Sequence, residues 1–286
     1  MDNFAGERPE VSVVIPVSGD TRELRQMLTN VWKWSASTEV IVVCPVRAHI
    51  TVPRDLASRV RLIEHTTICS YDEGRAVGAF HARGNLILFA DERAVLTPLL
   101  MQKYVEALQN GADVAVTVSP PSAAPKRKLA APQSAYHLLN HLLGHARLAA
   151  GTMSRIPYAC TRQALTVLGH EVLSTPPIAY VKATWEKFKV AEVTPLPAIQ
   201  WAQSPRSSLS KSTRQILREH AHAIELLMQL IGKRGGLPDG ERYRDLLLVP
   251  GQLHLRSVFF QPPSEGTGGK RGGKRKKKQA RVRKKR

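Results

Sequence analysis

The chain has 286 residues, 43% of them hydrophobic, enough for one large domain or two small ones around a sizeable core. No run approaches 18 apolar residues and the mean hydropathy is -0.22, so the sequence predicts no transmembrane segment. The formal charge of +19 is unevenly spread: residues 266–286 hold 12 of the 42 Lys and Arg and no acid, leaving 30 basic against 23 acidic residues elsewhere. The opening MDNFAGERPE lacks the basic-then-apolar pattern of a secretory signal. Cys44, Cys69 and Cys160 are widely spaced, with no CxxC pair. They fit a reducing, cytoplasmic setting and give no zinc framework.

In chain order, the β-branched run Val11 to Val17 predicts a buried strand. A turn at 18–21 follows, and then a helix over 22–34 with apolar Leu24, Met27, Leu28 and Val31. Residues 39–43 and 60–63 predict further strands. The alternation of strand and helix implies βαβ units and a mostly parallel sheet. Neither GxGxxG nor GxxxxGK[ST] occurs, which speaks against a dinucleotide dehydrogenase or a P-loop NTPase.

The stretch SYDEGRAVGAFHARGNLILFADERAVLTP, residues 70–98, is the centre of the chain. Ser70 and Glu73 have capping-box spacing, and Gly84 is expected to stop the helix they start. Gly74, Gly78 and Ala82 fall four apart on one helix face, so either a sheet or a ligand approaches the backbone there. Leu86 to Phe89 reads as a buried strand, with Asp91, Glu92 and Arg93 at its carboxyl end. In open α/β sheets ligands bind at that end. A helix over 99–109 and a strand over 114–118 follow.

VSVVIPV, a helix, EVIVV, then GRAVGAFHARGNLILFADE followed by Pro98 resemble, in order and spacing, a family 2 glycosyltransferase of the GT-A type. The resemblance covers roughly residues 10–118 and extends weakly over 150–195. It implies a GT-A-like nucleotide-sugar-binding α/β sheet, mostly parallel with helices on both faces, and sugar transfer from a UDP- or GDP-linked donor. It also implies a divalent metal, Mn or Mg. By the same resemblance Pro16, Val17, Ser18, Cys44, Asp72 and Arg75 would border the donor. Asp91 would be the first acid of the family's Asp-x-Asp motif, and Asp91, Glu92 and Arg93 would form the catalytic cluster. Three positions depart from the family: Cys44-Pro45 replaces an acid after the second strand, Arg93 replaces the second Asp, and no Glu-Asp pair occurs near Ser174-Thr175-Pro176-Pro177. The diphosphate would then be held by a metal on Asp91 and Glu92, or by Arg93 itself, since guanidinium pairs well with phosphate oxygens.

Residues 119–132 read as a Pro- and Ala-rich connector or lid. A helix is expected over 133–149, placing His137, His141 and His145 on one face. Packing is the simpler use of that helix, and a metal site the sharper one. Arg162 and Glu171 are the acceptor-side candidates. Residues 178–189 predict a helix, 190–193 a final strand, and 209–231 an amphipathic helix stopped by Gly232. His220 or His222 on it is a weak metal candidate, as the resemblance implies. The organisation expected is a nucleotide-sugar-binding half at 1–118, an acceptor-side half at 119–260, and a disordered Lys/Arg-rich tail at 261–286. Residues 266–286, without an aromatic residue, would attach to a polyanion such as nucleic acid, anionic lipid or an acidic polymer, so the protein would sit at an anionic surface without reading a base sequence. Two functions stay open from sequence: a glycosyltransferase, or a non-catalytic GT-A-like scaffold that attaches to a polyanion through its tail.

Overall fold

The computed structural model describes residues 8–19, 22–35, 37–66, 70–92, 96–118, 130–195 and 210–232. All belong to one compact unit, Met1–Pro238. Cys69, Arg93, residues 119–129 and the basic tail lie outside the described residues.

Seven strands form one sheet: β1 (Val11–Pro16), β2 (Thr38–Pro45), β3 (Val60–His65), β4 (Leu86–Phe89), β5 (Val114–Thr117), β6 (Tyr158–Thr161) and β7 (Val190–Val193). Their spatial order is β3-β2-β1-β4-β6-β5-β7. All pairings are parallel except those of β6, which runs against β4 (Phe89 opposite Tyr158) and against β5. Neighbours in sequence need not be neighbours in space: β6 inserts between β4 and β5. Strands from both sides of residue 118 therefore share one sheet.

Helices cover both faces, as a sheet of parallel βαβ units requires. Helices α1 (Arg22–Trp34) and α3 (Pro98–Gln109) pack on Val13, Ile15, Val42 and Leu88. On the other face Val14, Val43, Phe89 and Tyr158 meet α2 (Tyr71–His81), α4 (Ala131–Leu142), α5 (Arg162–Leu168), α6 (Pro176–Trp185) and α7 (Thr213–Ile231). Alternate residues of β1 thus serve opposite cores, the period-2 signature of a strand buried on both sides.

The glycine stripe on α2 is there for the sheet. A Cβ at Gly74 would lie 2.6 Å from Pro16 Cβ, and one at Gly78 would collide with Val14. Gly84 does not stop the helix, which ends at His81 with Ala82 as its cap. It lies instead against β1, where a Cβ would come 2.6 Å from the Ser12 nitrogen. Its own N–H donates to Ser12 Oγ at 2.7 Å.

The amino end of the sheet is closed by a buried polar staple. Glu39 accepts from Ser12 Oγ at 2.6 Å and from the Arg83 amide at 2.6 Å, with the Arg83 guanidinium 3.3 Å away. A fully buried carboxylate is tolerated because each of its oxygens is engaged.

Candidate functional site

The carboxyl ends of β1 and β4 meet at Glu92. Its Oε1 accepts from the Tyr71 hydroxyl at 2.6 Å, and Ser18 donates both its amide, 3.0 Å from each carboxylate oxygen, and its hydroxyl. Glu92 is only 4% exposed and Asp91 is fully buried. The start of α2 is fixed here for two local reasons. Ser70 caps it by accepting from the Glu73 amide at 3.2 Å, and Tyr71 is anchored through Glu92. The next residue, Asp72, is thereby delivered to the rim of the sheet.

Beside this clamp lies a cavity of about 220 Å³ among α2, α4 and α7, whose polar walls include Asp72, Arg75, Ser154, Lys211, Glu219 and His220. Arg75 pairs with Asp72 one helical turn away. Lys211, just before the Ser212 cap of α7, reaches Asp72 Oδ2 at 2.8 Å and Glu219 Oε1 at 2.5 Å, and donates to the Ser174 carbonyl at 3.3 Å. Burial raises the Glu219 pKa, against the lowering effect of Lys211. Burial also lowers that of His220, whose Nδ1 lies 2.7 Å from the Ile216 carbonyl. A carbonyl only accepts, so Nδ1 carries the proton and Nε2 of the neutral ring presents a lone pair.

Of the residues singled out from sequence, the fold brings Ser18, Asp72, Arg75, Glu92 and His220 to this region. Pro16 and Val17 are buried, Pro16 directly under Gly74. Cys44 is in the core on the α1 side, its pKa raised to about 11 by burial and by Glu64. Arg162 is held at the other end of β4, where its guanidinium donates to the Ala82 and Gly84 carbonyls. Glu171 pairs with His170 at 3.2 Å in a separate, more open groove beside Phe80 and His81. His222 is exposed on α7. The three-histidine face does not form, because α4 ends at Leu142 and Gly144 adopts a positive φ of 76°. His145 instead sits 2.9 Å from the Tyr180 hydroxyl. Sequence reasoning missed Ser154, Lys211 and Glu219. The Ser-x-x-Gln box at Ser212–Gln215 was the available signal that Lys211 immediately precedes a helix start.

Glu92 Oε1 is engaged by the Ser18 and Tyr71 hydroxyls, while Oε2 accepts only the Ser18 amide that it shares with Oε1. Among the described residues no group of three His, Cys, Asp or Glu side chains could hold a metal, with or without His220 or His222.

No protein-family model and no curated protein matches the sequence. Solved structures do match by shape. A crystal structure of glucosyl-3-phosphoglycerate synthase from Mycobacterium tuberculosis, with Mn2+, uridine diphosphate and phosphoglyceric acid, is 18% identical with a TM-score of 0.55, covering 83% of this chain and 82% of that one. The same enzyme with Mn2+, UDP-glucose and phosphoglyceric acid gives 20% identity, a TM-score of 0.54 and 83% coverage of each chain. The fold is GT-A-like. The GT-A-like chain shares with these enzymes the mostly parallel sheet and the helices around it. No helix among the described residues is long and apolar enough to cross a membrane.

Proposed function

We propose that this chain is a glycosyltransferase that uses a nucleotide-sugar donor. Arg93, rather than a metal on Asp91 and Glu92, would meet the leaving diphosphate. The observation that carries this is the meeting of the β1 and β4 carboxyl ends of a GT-A-like sheet at the Ser18–Tyr71–Glu92 clamp, with a small polar cavity beside it. Departure of a nucleoside diphosphate develops negative charge, which a cationic side chain stabilises where no cation is held. Asp91, buried at the end of β4, lies two positions before Arg93 in sequence. Glu219 lines the cavity, and burial raises its affinity for protons, the property a general base needs. It would act as the catalytic base in place of the Glu-Asp pair absent near Ser174. The donor sugar would be UDP- or GDP-linked.

Calorimetry with UDP-glucose and a GDP-sugar, in EDTA and in Mn2+, tests this reading. Binding should persist in EDTA and weaken at least tenfold in Arg93→Ala. No binding of either donor, or binding only with Mn2+, would overturn it.

One observation favours a second reading: Glu92 of the strand-end cluster is engaged by structural hydrogen bonds. A GT-A-like scaffold that binds a sugar nucleotide without transferring the sugar would show donor binding but no release of nucleoside diphosphate. In either case the Lys/Arg block at 266–286 would hold the protein on a polyanion, at an anionic surface within the cytoplasm.

A further inference from the structure

Among the described residues, three buried polar atoms around the cavity make no hydrogen bond: Arg75 Nε, Ser154 Oγ and His220 Nε2; the Arg75 guanidinium also lies near the Tyr158 hydroxyl. Arg75 is 4% exposed and His220 is 2% exposed, and all three residues line the cavity. Burying such atoms unpaired is costly, and native structures supply a partner, either water or a ligand. The three differ in kind. Arg75 Nε–H is a donor, His220 Nε2 presents a lone pair, and the Ser154 hydroxyl does either.

The charges around them are already matched. Asp72 and Glu219 stand against Arg75 and Lys211, two acids and two bases among the described lining residues. Lys211 has three ammonium hydrogens and three partners, Asp72, Glu219 and the Ser174 carbonyl, so it has none to give an incoming anion. A phosphate or carboxylate placed here would face two carboxylates and gain a single guanidinium nitrogen. A hydroxylated ring would instead meet a donor, an acceptor and an adaptable hydroxyl. The rings of Tyr136 and His220, 5.1 Å apart, add an aromatic surface for its C–H face. At about 220 Å³ the space is below the ~300 Å³ at which sites for drug-sized ligands begin, which suits one ring and not a whole nucleotide.

We propose that this cavity is a binding site for a neutral, polyhydroxylated ring of monosaccharide size. If the transferase reading holds, the ring is an uncharged acceptor sugar, whereas the similar synthase is in complex with phosphoglyceric acid. The role rests on that reading; the binding does not.

The test uses the full chain and ligand-observed NMR with methyl glycosides of glucose, mannose, galactose and N-acetylglucosamine, with myo-inositol, phosphoglyceric acid and inorganic phosphate alongside. At least one neutral compound should bind, and neither anion should displace it. Ser154→Ala should weaken that binding about three- to tenfold, the worth of one hydrogen bond. His220→Phe should weaken it similarly, with an unchanged melting temperature showing that each variant is folded. Binding of an anion in preference to every neutral compound, or of none of them, overturns the proposal; the second outcome leaves water as the partner of the three atoms. Addition of UDP-glucose decides the role: displacement of the glycoside assigns the ring to the donor's own sugar, and co-binding to the acceptor. Failure of UDP-glucose to bind while a glycoside does would sink the transferase reading and leave the cavity assignment standing.

Discussion

The Tyr71 hydroxyl lies 2.6 Å from Glu92 Oε1, joining the first residue of α2 to the end of β4 across 21 positions of sequence. A hydrogen bond to a buried carboxylate is worth about 1.5–3 kcal/mol. Tyr71→Phe keeps the ring and removes only that bond, so urea denaturation should show a loss of that size with an unchanged m-value. An unaltered midpoint would mean that Ser18 alone holds the carboxylate.

At the opposite end of the sheet, Glu39→Ala should be more damaging. It removes the acceptor of the Ser12 hydroxyl and of the Arg83 amide, and the carboxylate partner of the Arg83 guanidinium. Leaving buried donors without their acceptor costs about 1–3 kcal/mol each, with little added by the one-third-exposed Arg83 guanidinium. A loss below about 1 kcal/mol by the same titration would show that water replaces the carboxylate.

Lys211 separates two carboxylates. Lys211→Met would bring Asp72 and Glu219 together without their shared counter-ion, and the expected loss is about 3 kcal/mol. Pairing it with Glu219→Gln should restore part of this, because the repulsion is then gone. Strict additivity of the two changes would refute the shared role.

Acid should destabilise the fold before the carboxylates titrate. Burial lowers the pKa values of His81, His145 and His220 relative to the unfolded chain. Below about pH 6.5 the unfolded state therefore binds more protons, and stability falls as pH drops through the histidine range. Glu219 acts with the opposite sign. Its raised pKa makes the folded state the better proton acceptor, so it contributes stability in acid that is lost as pH rises through its folded pKa. The melting temperature should decline from pH 7 to pH 5.5. A constant value across that window would contradict the buried neutral imidazoles.

Deleting residues 266–286 removes 12 positive charges and no negative one. Retention on a heparin or phosphocellulose column at low salt should drop sharply, and the difference should vanish near 1 M salt, where screening is nearly complete. Equal retention of the two chains would assign the attraction to the body of the protein.

Much of the sheet was legible because its strands are buried on both sides, and a run such as VSVVIPV has few other uses. Strand β6 was not. Four residues, YACT, between a loop and a helix carry no periodicity of their own, and only the pairing of Tyr158 with Phe89 makes them a strand. The strand-end acids were visible from position, whereas their occupation was not: Ser18 and Tyr71 reach Glu92 from distant segments. The cavity was the least readable part, since α2, α4 and α7 contribute its walls and only Asp72, Arg75 and His220 had been singled out. Glu39 did offer a signal, an acid inside an otherwise apolar strand, which calls for a buried partner.

The bare backbone contact of α2 with β1 at Gly74 and Gly78 leaves that wall of the cavity almost no freedom to shift. The facing wall, carried by α7 and the turn at Ser154, is made of side chains that can be exchanged without moving a strand. Anyone wishing to re-engineer what this pocket accepts should vary positions 154 and 216 and leave the glycines alone.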